Sequence, residues 1–146
     1  MKTILYLALL LTGFTATAAA TPSEKVLKAF NETFTAAVNV TWEEFDHNSQ
    51  ASFKVNDIKV KALYDEEGNL IETIRYYTQE ILPPNIVAKL KKKYNGKEIY
   101  SVTEVSSDNE LSYYISLKDQ KNWFIVKSDP LGYLTQMDKF RDASAN

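Results

Sequence analysis

The segment YDEEGNLIETIRY, Tyr64 to Tyr76, returns in outline near the end of the chain as SDPLGYLTQMDKF, Ser128 to Phe140. Each reads as an aspartate, two spacers, a glycine, one spacer, a leucine and an alternating run that ends in an aromatic. Asp65 and Asp129 can cap a turn through their side chains, and Gly68 and Gly132 can take the positive φ of a short hairpin loop. Upstream of each turn stands the same helical quartet. Val26, Leu27, Phe30 and Phe34 fall on one helix face, and Ile86, Val87, Leu90 and Tyr94 repeat that spacing 60 positions later (26 to 86, 34 to 94). Two unrelated hairpins could share a turn by chance. The same quartet and turn in the same order favour a duplicated unit.

Each unit reads as a helix followed by four strands. Thr21-Pro22-Ser23-Glu24 matches a capping box, with Thr21 as N-cap and proline at the first helical position. The spacing predicts a helix that fades by Ala36 or Ala37. Alternation then predicts strands at Val38 to Trp42, Ala51 to Val55, Ile58 to Tyr64 and Leu70 to Tyr77, broken at Asp46 to Gln50 and by an Asn56-Asp57 hairpin loop. Leu82-Pro83-Pro84 restarts the pattern. A second helix stops at Asn95-Gly96, and strands follow at Ile99 to Val105, Leu111 to Leu117, Asn122 to Lys127 and beyond the Gly132 turn. Neither unit buries its helix face alone. The expected fold is therefore α+β, with two tandem helix-plus-four-stranded antiparallel meanders (about 21–80 and 81–146) packed as one domain and both helices on one face of the sheet.

Residues 1–20 stand apart from that pattern. Met1-Lys2 is a short basic start, Ile4 to Phe14 is apolar, and Thr15 to Ala20 supplies small residues, which is the composition of a secretory signal peptide cleaved near Thr21. A retained anchor is the alternative, although the apolar run falls short of the roughly 20 residues a span requires. The expected location is periplasmic or secreted. With Cys 0 there is no disulfide framework, no thiol nucleophile and no cysteine to carry a lipid, so with the signal cleaved no membrane anchor is expected. Loss of Lys2 from 17 basic residues leaves 16 against 19 acidic ones, a net charge of −3 that disfavours nucleic acid as a partner.

The residues VLKAFNETFTAAVNVTW, ALYDEEGNLIET, Leu82-Pro83 before a second helix, and the second Asp-x-x-Gly turn resemble the PepSY-like secreted proteins of Bacteroidetes. That family is related in fold to the beta-lactamase inhibitor protein and more remotely to the PepSY domains of protease propeptides. The resemblance spans the mature chain. It implies an exported α+β domain without catalysis that binds or inhibits another protein or peptide of the periplasm.

Chemistry-bearing residues are few. His47 is the single histidine and lies in the polar loop Asp46 to Gln50, which argues against a Ser-His-Asp triad and against a zinc site built on several histidines. Glu43 and Glu44 are neighbours on a strand and point to opposite faces, so they cannot work as an acid and base pair. The cluster at Asp65 to Asn69 lacks the ligand alternation of a calcium loop and reads as turn chemistry. No cofactor or metal is expected. The basic run KLKKKYNGK, Lys89 to Lys97, suits the C-terminal end of a helix, with membrane or polyanion contact as the alternative.

Aromatic doublets remain: Tyr76-Tyr77, Tyr113-Tyr114 and Trp123-Phe124. Strand neighbours face opposite ways, so one ring of each pair faces the helices and the other the uncovered side of the sheet. Leu70, Ile74 and Tyr76 share the parity of Leu134 and Phe140, which assigns Tyr77 outward. With Tyr114, Lys59 and Lys61 it forms the expected binding surface. Two other uses stay open: the exposed rings serve only as cross-strand pairs, or the protein carries a small ligand in an apolar cavity between helices and sheet.

Overall fold

Ser23, not Thr21, caps the first helix in the computed structural model, which describes residues 21–144; the proposed signal at residues 1–20 lies outside the described residues. The Ser23 backbone is extended (φ −61°, ψ 157°), its hydroxyl accepts from the Val26 amide at 3.3 Å, and its carbonyl accepts from Leu27 at 3.0 Å. Thr21 and Ser23 are both competent caps, but Pro22 is buried ahead of the helix rather than opening it. Helix α1 spans Glu24–Thr33 and stops earlier than expected, at a C-cap on Phe34 whose amide reaches Phe30 at 2.8 Å.

Strands β1 (Val38–Phe45), β2 (Asn48–Val55), β3 (Ile58–Asp65) and β4 (Leu70–Tyr77) follow, then α2 (Pro84–Lys93) and β5 (Glu98–Ser107), β6 (Glu110–Lys118), β7 (Asn122–Ser128) and β8 (Leu134–Arg141). All eight lie antiparallel in one sheet in chain order. The first hairpin loop is only Asp46-His47, so β2 begins inside the segment expected as a polar break. Asn56-Asp57 forms the expected two-residue loop with φ of 48° and 65°, and Asp108-Asn109 repeats it at 50° and 63°. In the longer turns, Asp65 accepts from the Asn69 amide and Asp129 from the Tyr133 amide (2.8 and 2.9 Å), with Gly68 at φ 87° and Gly132 at 81°. Pro84 opens α2 at a position where its missing amide costs nothing.

Both helices cover the same face of the sheet. Val26 and Phe30 of α1 pack on Phe53, Val60 and Tyr64, with Phe30 edge-on to Trp42 and Phe53 at 5.2 and 5.0 Å. Ile86, Leu90 and Tyr94 of α2 pack on Val102, Ile115, Leu117 and Val126. Ile58 touches both clusters and joins them. The lysines that end α2 are partly tied down: Lys89 donates to the Leu131 carbonyl at 2.7 Å and Lys93 to that of Leu134 at 3.2 Å, which clamps the helix over the β7–β8 turn.

Burial leaves a pH signature. It raises the phenol of Tyr64 to about 12 from 10, and raises those of Tyr77, Tyr94 and Tyr113 as well. The folded protein therefore keeps protons that the unfolded chain releases near pH 10. Their stabilising effect is complete below that pH and is lost as pH rises through the folded-state values. Between pH about 8 and 10 the urea midpoint should hold steady, and above that it should fall steeply, with late-ionising phenols in the absorbance titration. A midpoint that holds steady through pH about 12 would contradict this burial.

Candidate binding face

Among the described residues nothing covers the sheet face away from the helices, and its composition follows from strand register. Lys54 pairs with Lys59, Lys59 with Tyr76, Tyr76 with Thr103, Thr103 with Tyr114, and Tyr114 with Lys127. These six residues form one row across β2 to β7. Its neighbour along the strands contains Ser52, Lys61, Ile74, Val105 and Ser112. Tyr76 is 38% exposed, and Lys127 sits 5.6 Å from the centre of the Tyr114 ring. Beside Lys54, Lys59 and Lys61 lies a depression of about 270 Å3, bordered also by Thr41, Ser52 and Tyr76.

Lys59, Lys61 and Tyr114 thus meet on the open face as expected, whereas Tyr77 does not. It stands opposite Val102 on the helix side and is 8% exposed, with its hydroxyl donating to Glu104 at 2.5 Å. The outward ring of that doublet is Tyr76. The reversal comes from a bulge: Tyr64 pairs with Leu70 but Leu63 with Glu72, so Ile71 is an extra residue and Leu70 no longer shares a side with Ile74. In β8 the same thing happens at Met137, since Val126 pairs with Gln136 but Ile125 with Asp138. Phe140, expected on the inner side with Leu134, therefore faces out opposite Trp123.

A second aromatic group was missed for the same reason. Tyr100 occupies a register shift between Ile99 and Ser101 and turns outward, edge-on to Trp123 at 4.8 Å. Lys118 lies 4.6 Å from its ring centre and pairs with Glu98 at 3.5 Å. Tyr100 and Phe140 are 51% and 47% exposed. The Trp123-Phe124 doublet was the one signal in the sequence, because it required one outward ring.

On the helix side, Arg75 donates to Glu104 at 3.0 Å and lies 5.5 Å from the Tyr77 ring centre, so one carboxylate ties β4 to β5. Two half-open clefts lie beside the helices. One of about 310 Å3 lies by Phe34, Val55, Ile58 and Arg75; the other, about 360 Å3, lies by Glu80, Lys91, Tyr94 and Lys97. His47 is exposed and bonds only Glu66, at 2.9 Å, which raises its pKa. Among the described residues no three His, Cys, Asp or Glu side chains converge as metal ligands, and no helix is long and apolar enough to cross a membrane.

No family model and no curated protein matches the chain. Solved structures do. A BLIP-like protein from Bacteroides fragilis superposes with a TM-score of 0.68 at 17% identity, over 89% of this chain and 92% of that one. A DUF2874 family protein from Bacteroides uniformis gives 0.64 at 16%, over 83% and 90%. A protein from Bacteroides eggerthii named as periplasmic gives 0.65 at 12%, over 84% and 90%. The fold is BLIP-like. The superpositions span most of both chains, and at such identities the likeness speaks for the fold alone.

Proposed function

We propose that the protein is an exported, non-catalytic module of PepSY-like type, built from two copies of a helix-plus-four-strand unit, that grips another protein with the open face of its sheet. The observation that carries this reading is the row Lys59, Tyr76, Thr103, Tyr114, Lys127, which sets two tyrosines among lysines and hydroxyls on a face that no other element among the described residues covers. Aromatic anchors in a polar rim are the makeup of a protein-binding surface. Lys59, Lys61 and Tyr114 keep the role expected for them, and Tyr76 takes the place of Tyr77. The duplicated-unit reading draws support from the two turns: Asp65 and Asp129 each accept from the amide four residues on, and Gly68 and Gly132 each abut a lysine of the helix in the same half, although Lys25 and Lys89 are not equivalent under the 60-residue helix offset. The carrier reading draws less, since the space beneath each helix is filled by side chains and the clefts beside them are half-open.

The test is a Tyr76→Ala, Tyr114→Ala double variant. Its melting temperature should stay within a few degrees of the parent, while capture of a periplasmic partner weakens by about 2 kcal/mol or more. Capture at parental strength by a folded double variant would move the function off this face. Export has its own check: protein recovered from the native host should begin at or within about two residues of Thr21. An intact Met1 on the exported protein would overturn the leader.

A further inference from the structure

Four lysines of the open face hold no carboxylate. The five ion pairs among the described residues engage Lys28, His47, Arg75, Lys97 and Lys118. Lys54, Lys59, Lys61 and Lys127 take part in none, although acidic side chains outnumber basic ones in the chain. Lys54 even stands directly opposite Lys59 across β2 and β3, an arrangement that costs the sheet stability. The fold gives no return for that cost, and a partner of opposite charge would.

We infer that this row seats an extended segment of the partner protein whose carboxylates lie about six residues apart with apolar or hydroxyl side chains between. The inference rests on the open sheet face being the binding surface and adds the chemistry of what it binds. Lys59 and Lys127 are separated by four strand-to-strand steps, β3 to β7, or about 19 Å at ~4.8 Å per step. An extended chain advances ~3.3 Å per residue, so about six residues cover that span. One carboxylate enters the depression beside Lys54, Lys59 and Lys61, the tyrosines support the middle, and the second carboxylate meets Lys127. A uniformly anionic polymer fits less well. Glu43 and Glu72 lie on the same face four residues further along the strands, about 13 Å away, and Asp108 and Glu110 border one depression with Tyr114 and Lys127, so a continuous run of negative charge is repelled where single carboxylates at the lysines are not.

The probe is a capped synthetic heptapeptide, Glu-Val-Thr-Tyr-Thr-Val-Glu, beside its twin with glutamine for both glutamates. Affinity for the full chain is read by anisotropy and the contact surface by amide chemical shifts. In dilute salt the glutamate peptide should bind about tenfold more tightly than its twin, with shifts confined to the row. A Lys59→Gln, Lys127→Gln variant should bring it down to the twin's level, while Lys91→Gln, Lys92→Gln on α2 leaves it unchanged. Equal binding of the two peptides, equal loss in the α2 variant, or displacement by a heparin tetrasaccharide at lower concentration than the peptide's own would each overturn the inference. Partner capture that is lost in the Tyr76→Ala, Tyr114→Ala variant while the glutamate peptide fails to bind would leave the binding face standing and remove only its acidic occupant. Neither effect appearing would remove both.

Discussion

Tyr77→Ala should destabilise the protein by about 4 kcal/mol, while Tyr76→Ala, one residue away, should cost less than about 1. Tyr77 is buried over Val102 and beside Tyr113, so truncation opens a large cavity in the cluster beneath α2. It also removes the hydroxyl that donates to Glu104, a carboxylate whose side chain is only 15% exposed and which would then rely on Arg75 alone. Tyr76 faces solvent between Lys59 and Thr103 and gives up a partly exposed ring. Urea melts of the two variants decide between them. Similar small losses in both would return Tyr77 to the surface and undo the register of β4. A Tyr77→Phe variant separates the two terms, since it keeps the cavity filled and removes the donor.

Gly68→Val should cost about 3 kcal/mol, more than the same change at Gly132. Both glycines sit at positive φ, where a β-branched side chain is strained. Their surroundings differ. A Cβ on Gly68 would lie 2.9 Å from the Lys25 carbonyl oxygen, part of the backbone of α1, so the turn or the helix must move. A Cβ on Gly132 meets the Lys89 side chain at 2.8 Å, and that chain can swing away at the loss of its bond to Leu131. Chemical denaturation of the two variants measures the gap. If Gly132→Val proves the more damaging, the helix does not rest on the first turn as described.

Local signals were legible and long-range register was not. Asn56-Asp57 announces a two-residue loop because few residue types tolerate two successive positive φ values, and Asp65 with Gly68 announces the turn by the same chemistry. Val26 and Phe30 announce a buried helix face by spacing. The bulges at Ile71, Tyr100 and Met137 carry no such mark. None is a glycine or proline, and each is set by how one strand pairs with the next. An unmarked bulge inverts every side chain beyond it, so the face assigned to Tyr77 and Phe140 was lost while the strands themselves were found. Where no bulge intervenes, in β3 and β6, Lys59, Lys61 and Tyr114 point as alternation requires. Ser23 and Thr21 failed differently, as two chemically equivalent caps two positions apart.

The chain-order arrangement of the sheet bears on how quickly the molecule assembles. Six of the seven strand pairings close across a short hairpin connection, and only β4 with β5 must wait for the intervening helix. Loop-closure entropy is therefore small almost everywhere, and contact order is low for a protein so rich in strand. Sandwiches of similar length bring together strands distant in sequence and fold slowly for that reason. Here each half can zip from its own turns, leaving one late event in which Arg75 and Tyr77 find Glu104 and lock the seam. Such assembly shortens the time during which unpaired strand edges stand open to aggregation.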